Sequence, residues 1–174
     1  REPKGVALRA QIAAVTPEGD LLWAQPLSAK GGKARNPVVR ETSEGISVAW
    51  IELSEDASTD DNPAIWLQVL DTHGLIVRGP VEVAEANQDT WNLNAGVSPE
   101  GDLYLAYDAS LGTRAHEVHA ILVRGTNVLK RTLTEDDGHP SLYPDIQFNS
   151  SGHMAMTWFD EKNGNEEVYL RVSA

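Results

Sequence analysis

The chain has 174 residues, a formal net charge of -12 and no cysteine. That charge repels polyanionic phosphate backbones, and no basic stripe with interleaved aromatics offsets it, so nucleic acid is excluded as a partner. Disulfides and thiolate chemistry go with the cysteines, and no apolar run nears the roughly 20 residues that cross a bilayer.

From the N-terminus, 5–15 and 20–29 read as two strands. Four follow at 36–42, 46–53, 64–71 and 75–84, and four more at 92–98, 102–107, 117–123 and 127–134. The last three lie at 144–149, 153–159 and 166–173. Each run is short, rich in Val, Ile, Leu, Trp and Tyr, and alternates with period two, which places one face of a strand in a core. In "HMAMTW", for example, Met154, Met156 and Trp158 share a face. Gly, Asn, Asp, Ser and Pro cluster between the runs as turn formers. No stretch of twelve residues carries helical periodicity, so helix content should be small.

Two series of glycines keep step along the chain. Gly45, Gly101 and Gly152 precede runs that end in an aromatic with an acid close behind: Trp50 with Glu52, Tyr107 with Asp108, Trp158 with Asp160. These glycines advance by 56 and 51 residues, and Gly19, Gly74 and Gly125 advance by 55 and 51. Two landmarks sharing one irregular period mark an internal repeat. Four antiparallel strands, A to D, in units of about fifty residues are the sequence mark of a β-propeller blade. The fold class is therefore all-β. The chain divides into partial strands C and D (1–35), a blade (36–88), a second blade (89–138) and strands A to C of another (139–174). Trp50, Tyr107 and Trp158 are expected between blades as core, because buried aromatics carry the largest apolar area. About three and a quarter blades fall short of the four to eight of a closed propeller. Further blades of a longer parent chain, or another subunit, are expected to complete the ring.

Pro144, Ile146, Gly152, Trp158, Asp160, Gly164, Asn165, Glu167, Val168 and Tyr169 together resemble the repeat of sialidase-like bacterial β-propeller proteins. The resemblance implies blade geometry, an extracytoplasmic setting and a top face that binds a glycan or a protein. It does not extend to the sialidase turn motif Ser-x-Asp-x-Gly-x-x-Trp, whose Asp and Trp are missing from "SPEGDLYLAY". No residue is assigned as catalytic.

Ligands of such folds gather where the D–A connections meet the starts of the A strands. Arg40, Trp91, Asn94, His139, Tyr143 and Asp145 are the polar or amphipathic side chains expected there. A Trp beside Asn and Asp suits a sugar, offering an apolar ring face together with hydrogen bonds. The competing reading makes Trp91 and Tyr143 loop anchors. His139 with Asp136 in "DDGHP" is read first as a turn and second as an acid/base couple. "AHEVHA" falls one residue short of the zinc motif His-Glu-x-x-His, and on a strand its histidines point to opposite faces. The loops 56–63 and 160–167 carry carboxylates and amides that would suit calcium, but neither has the twelve-residue calcium-loop order, and Asn163-Gly164 makes a good hairpin turn. "SAKGGKAR" lacks the Gly-Lys-Ser/Thr order of a phosphate loop. No metal or cofactor is expected. The partner expected is a protein or glycan, bound by a non-catalytic recognition or scaffold module. The alternative is part of a sialidase-like glycoside hydrolase.

Overall fold

The computed structural model describes residues 9–28, 33–53 and 63–173. The start of the first predicted strand (5–8), the glycine-lysine stretch 29–32 and the loop 56–62 lie outside the described residues. Thirteen strands and no helix occur among those described. A first sheet pairs β1 (Gln11–Val15) with β2 (Leu21–Pro26). The second runs β3 (Lys33–Thr42), β4 (Gly45–Leu53), β5 (Ala64–Leu70), β6 (Ile76–Glu85). The third runs β7 (Asn94–Val97), β8 (Leu103–Ala109), β9 (Glu117–Arg124), β10 (Asn127–Thr132). The fourth has β11 (Ser141–Phe148), β12 (Met154–Asp160) and β13 (Glu167–Val172). Every neighbouring pair is antiparallel and consecutive in the chain.

The sheets stack face on face, and the side-chain alternation along each B-type strand explains why. On β4, Val48 and Trp50 pack toward the first sheet with Ala10, Ile12 and Trp23. Ala49 and Ile51 point the other way, into a cluster shared with Leu103, Leu105 and Tyr107 of β8. Ala106 of β8 in turn meets Ile146, Met156 and Trp158 of the fourth sheet. Trp50, Tyr107 and Trp158 thus all face the preceding sheet. Neither face of an inner sheet can meet water without exposing a row of aliphatic side chains, so each needs a neighbour.

Turn glycines set the spacing between sheets. Gly101 has φ +85°, and a Cβ there would come 2.7 Å from the backbone nitrogen of Ser43. The approach permits a link between sheets, Ser43 N–H donating to Gly101 O at 3.0 Å. Only glycine allows both the left-handed turn and the contact.

β3 and β11 begin three residues earlier than the sequence pattern indicates. Both strands pass through a bulge that hides their first residues from the alternation. Arg35 pairs with Ile51 and Val38 with Ala49, leaving Asn36 and Pro37 opposite the single Trp50. In the same way Tyr143 and Pro144 lie opposite Trp158, between the pairs Leu142–Phe159 and Asp145–Thr157. Proline has no N–H to give a ladder and is tolerated at a bulge. The preceding residues take left-handed backbones, φ +48° at Asn36 and +56° at Tyr143. Non-glycine residues rarely do so outside sites that hold them there.

Candidate functional site

One end of the stacked sheets gathers the starts of β3, β7 and β11, the ends of β4, β8 and β12, and the connections from β6 to β7 and from β10 to β11. The two bulges lie at this end. Tyr143, held out by its left-handed backbone, is 58% exposed, and its ring meets Phe159 edge-on with centroids 5.9 Å apart. Two residues on, Asp145 is exposed and accepts a hydrogen bond of 2.9 Å from Asn94 Nδ2 of the neighbouring innermost strand. The Asn94 amide is fixed in turn, because its Oδ1 accepts the Ala95 N–H at 2.7 Å. An exposed ring, a carboxylate and an oriented amide are thus held on two adjacent innermost strands.

Behind this group Asp108 is fully buried. Its Oδ2 accepts from Asn92 Nδ2 at 2.7 Å and from the Tyr143 backbone N–H at 3.0 Å, and its Oδ1 lies 3.3 Å from His116 Nδ1. A second group surrounds Trp91, which is 49% exposed. The Arg35 guanidinium carbon sits 4.2 Å from the centre of its ring, and Arg35 Nη2 donates to the carbonyls of Asn87 and Gln88 at 2.9 and 2.8 Å. Burial pulls this guanidinium below its ordinary pKa, with Asp89 opposing. Beside it opens a cleft of about 620 Å³ lined by Glu85, Asn87, Gln88, Asp89, Ser110 and Leu111.

No protein-family profile and no curated protein sequence matches the chain. Solved structures do. An α-L-arabinofuranosidase from Lactobacillus brevis superposes with a TM-score of 0.54 at 10% identity, over 90% of this chain and 58% of that one. An α-L-arabinanase from Penicillium chrysogenum, complexed with arabinobiose, superposes with a TM-score of 0.52 at 13% identity, over 86% of this chain and 49% of that one. Both fold as β-propellers. This fold is a β-propeller's, and its sheets are blades. The chain spans about half the length of these propellers. At such identity the likeness speaks for the blade architecture alone.

Within the blades, the residues expected at the mouth are divided. Trp91, Asn94, Tyr143 and Asp145 stand there with exposed or half-exposed side chains. His139 is exposed, its N–H donating to Asp137 Oδ1 at 3.0 Å, so it belongs to a turn. Asp136 is engaged by Arg114 through its backbone N–H and its guanidinium. Arg40 lies further along its strand and is spent on carbonyls, Nε to Ala95 O and Nη1 to Val39 O, both at 2.8 Å. It clasps two inner strands together. In the loop 160–167, Glu167 Oε2 accepts from Asn163 and Tyr169, and Asp160 from Ser141, Trp158 and the Lys162 N–H.

Sequence reasoning missed Arg35, Asn92, Asp108 and His116. A signal for Asp108 was available. In two blades the acid follows the aromatic by two residues, and the indole N–H donates to it: Trp50 to Glu52 at 2.5 Å and Trp158 to Asp160 at 3.2 Å. Asp108 follows Tyr107 directly, so it points to the opposite face of the strand. It is not a member of that series.

The two histidines of "AHEVHA" also face opposite ways. His116 meets Asp108, while His119 is buried, stacks on Tyr107 with centroids 5.1 Å apart, and contacts Ala109 O at 3.0 Å. Burial lowers the pKa of His119, which favours the neutral ring.

Between them Glu117 is fully buried. Its Oε2 accepts from Thr134 Oγ1 at 2.5 Å, while its Oε1 has no hydrogen-bond partner. Burial first, and Asp136, Asp137 and Asp160 after it, raise its pKa above the ordinary 4.5, against the lowering effect of the Thr134 bond. The folded chain holds this proton more tightly than the unfolded chain. Its contribution to stability is therefore fullest below pH 4.5 and declines as pH rises through the raised folded value. Glu117→Gln is expected to melt higher than the parent chain at pH 7, with the difference closing below about pH 4.5. Thermal unfolding across that pH range checks it.

Proposed function

We propose that this protein is a non-catalytic propeller module that recognises a glycan at the end of its blades where Trp91, Asn94, Tyr143 and Asp145 stand. The observation that carries the reading is the pairing of a half-exposed aromatic ring, Tyr143, with the Asp145 carboxylate and the oriented Asn94 amide on adjacent innermost strands. A sugar offers that surface an apolar ring face and hydroxyl groups at once, and aromatic platforms with a few fixed polar groups are the usual means of holding one. Trp91 adds a second ring held by Arg35. Both solved structures named above act on arabinose-containing glycans by their names, which makes arabino-oligosaccharides the first probes.

The test is a calorimetric titration with arabinobiose, followed by a panel of immobilised glycans. Trp91→Ala and Asp145→Ala are each expected to weaken binding by on the order of tenfold or more. Binding indifferent to both changes would overturn the proposed face.

A second reading is favoured by the same two propellers: part of a glycoside hydrolase, with Asp145 as one carboxylate and its partner on a blade beyond this chain. Turnover of aryl arabinofuranosides or sialosides by a longer parent protein separates it from the first. We further propose that the ring is completed by more blades of such a parent and that the protein works outside the cytoplasm. The added blades, not the setting, are supported by the free face of the last blade, where Val168, Leu170 and Val172 are 61–67% exposed. Among the described residues no helix is long and apolar enough to cross a membrane.

A further inference from the structure

We infer that Asp108 is the positioning residue of the mouth, holding Tyr143 in its left-handed backbone so that the Tyr143 ring and the Asp145 carboxylate meet a ligand together. The inference rests on the reading of those two side chains as ligand-facing. It begins with the repeat. The register of the B strands makes Ile51, Asp108 and Phe159 equivalent, one residue beyond Trp50, Tyr107 and Trp158. The blade tolerates an aliphatic or an aromatic residue there. Ile51 is fully buried with no polar demand. A carboxylate at the same depth is unfavourable unless its oxygens are occupied, so its presence marks a task other than packing.

The oxygens of Asp108 are occupied by three groups from three segments: Asn92 ahead of β7, His116 ahead of β9, and the backbone N–H of Tyr143 in β11 of the next blade. The last contact crosses the seam between blades and ends on the bulge. Trp158 faces two residues there, and Pro144 has no N–H to offer. A slip of one residue would turn Asp145 from the mouth to the opposite face, because side chains alternate along a strand. The second sheet has the same bulge and a different clasp. Arg35, beside Asn36, donates to the carbonyls of Asn87 and Gln88. Its equivalent in the fourth sheet is Leu142, which has nothing to donate. Asp108 takes over that task from the neighbouring blade.

Amide exchange by NMR tests the clasp without any ligand. In the unaltered chain the Tyr143 amide is expected to be protected. In Asp108→Ile, which installs the residue of the second sheet, that protection is expected to fall by on the order of tenfold or more while the amides of β8 keep theirs. Asp108→Asn retains an acceptor oxygen and is expected to restore most of it. A Tyr143 amide that exchanges freely in the unaltered chain, or stays protected in a folded Asp108→Ile, overturns the inference. Should Asp108→Ile not fold, the first of these measurements still decides. Calorimetry with arabinobiose is the separate arm. Weakened binding by Asp108→Ile with recovery in Asp108→Asn joins the clasp to recognition. No binding by the unaltered chain counts against the arabinose-glycan reading, leaving the clasp to be judged by exchange alone.

Discussion

Replacing Trp50 by alanine is expected to destabilise the chain by about 3–5 kcal/mol, a large part of the roughly 5–15 kcal/mol that holds a typical domain together. Trp50 is 1% exposed and sits among Val48, Leu70, Ala34, Ile12, Trp23 and Trp66, where the first two sheets meet. Truncation leaves a cavity larger than any rotamer change can fill. The surrounding side chains belong to paired strands, which resist collapse. The same change removes the indole N–H that donates to Glu52, itself buried. Trp50→Phe keeps most of the volume and loses the donor, so it should cost well under half as much. Chemical denaturation of the three proteins separates the packing contribution from that of the hydrogen bond.

The second large effect concerns two leucines in equivalent places. Leu67 of β5 pairs with Ala49, and Leu170 of β13 pairs with Thr157, at the same level of their blades. Leu67 is fully buried against the following sheet, while Leu170 is 64% exposed. Leu67→Asp is expected to cost about 4 kcal/mol or more, because it buries a charge with no partner. Leu170→Asp in this chain should change stability by no more than about 0.5 kcal/mol, as at other surface positions. In a longer parent the two substitutions should be equally damaging if another blade covers β13. A parent in which Leu170→Asp stays harmless would show that the face is free, and the proposed completion of the ring would fail. Ile65, Leu67 and Val69 of β5 are all fully buried, and Val168, Leu170 and Val172 repeat their chemistry on bare surface. That correspondence motivates the comparison.

The architecture was legible because it rests on short-range signals. Alternation located the strands, turn glycines set their spacing, and the repeat revealed which strands share a sheet. The packing of Trp50 and Tyr107 followed from their place near the end of each B strand. The site was less legible, because bulges reset the alternation on which the reading depends. Residues 33–35 and 141–143 fell outside the strands because the proline and bulge that follow broke the pattern, although ladder pairing already begins at Lys33 and Ser141. Arg40 was chosen for its charge on an inner strand, and charge says nothing about whether nearby carbonyls already use it. Asp108 was grouped with Glu52 and Asp160 by proximity to an aromatic, although a single residue of offset sends it through the sheet to the neighbouring blade. Tyr143 and Asp145 were nominated by residue type and place in the repeat, but the left-handed backbone that presents them was not legible.

The apolar interior is not shared evenly between the seams. Among the described residues fifteen buried side chains join the second and third sheets, six join the first and second, and four join the third and fourth. The last seam also carries Asp108 and Asp160, whose burial depends on hydrogen bonds rather than on hydrocarbon. Thermal or chemical stress should therefore peel the C-terminal sheet away first and leave the central pair as the most persistent cooperative unit. A ligand bridging Asn94 and Asp145 would act as a staple across the weakest joint, so occupancy and mechanical resilience would rise together.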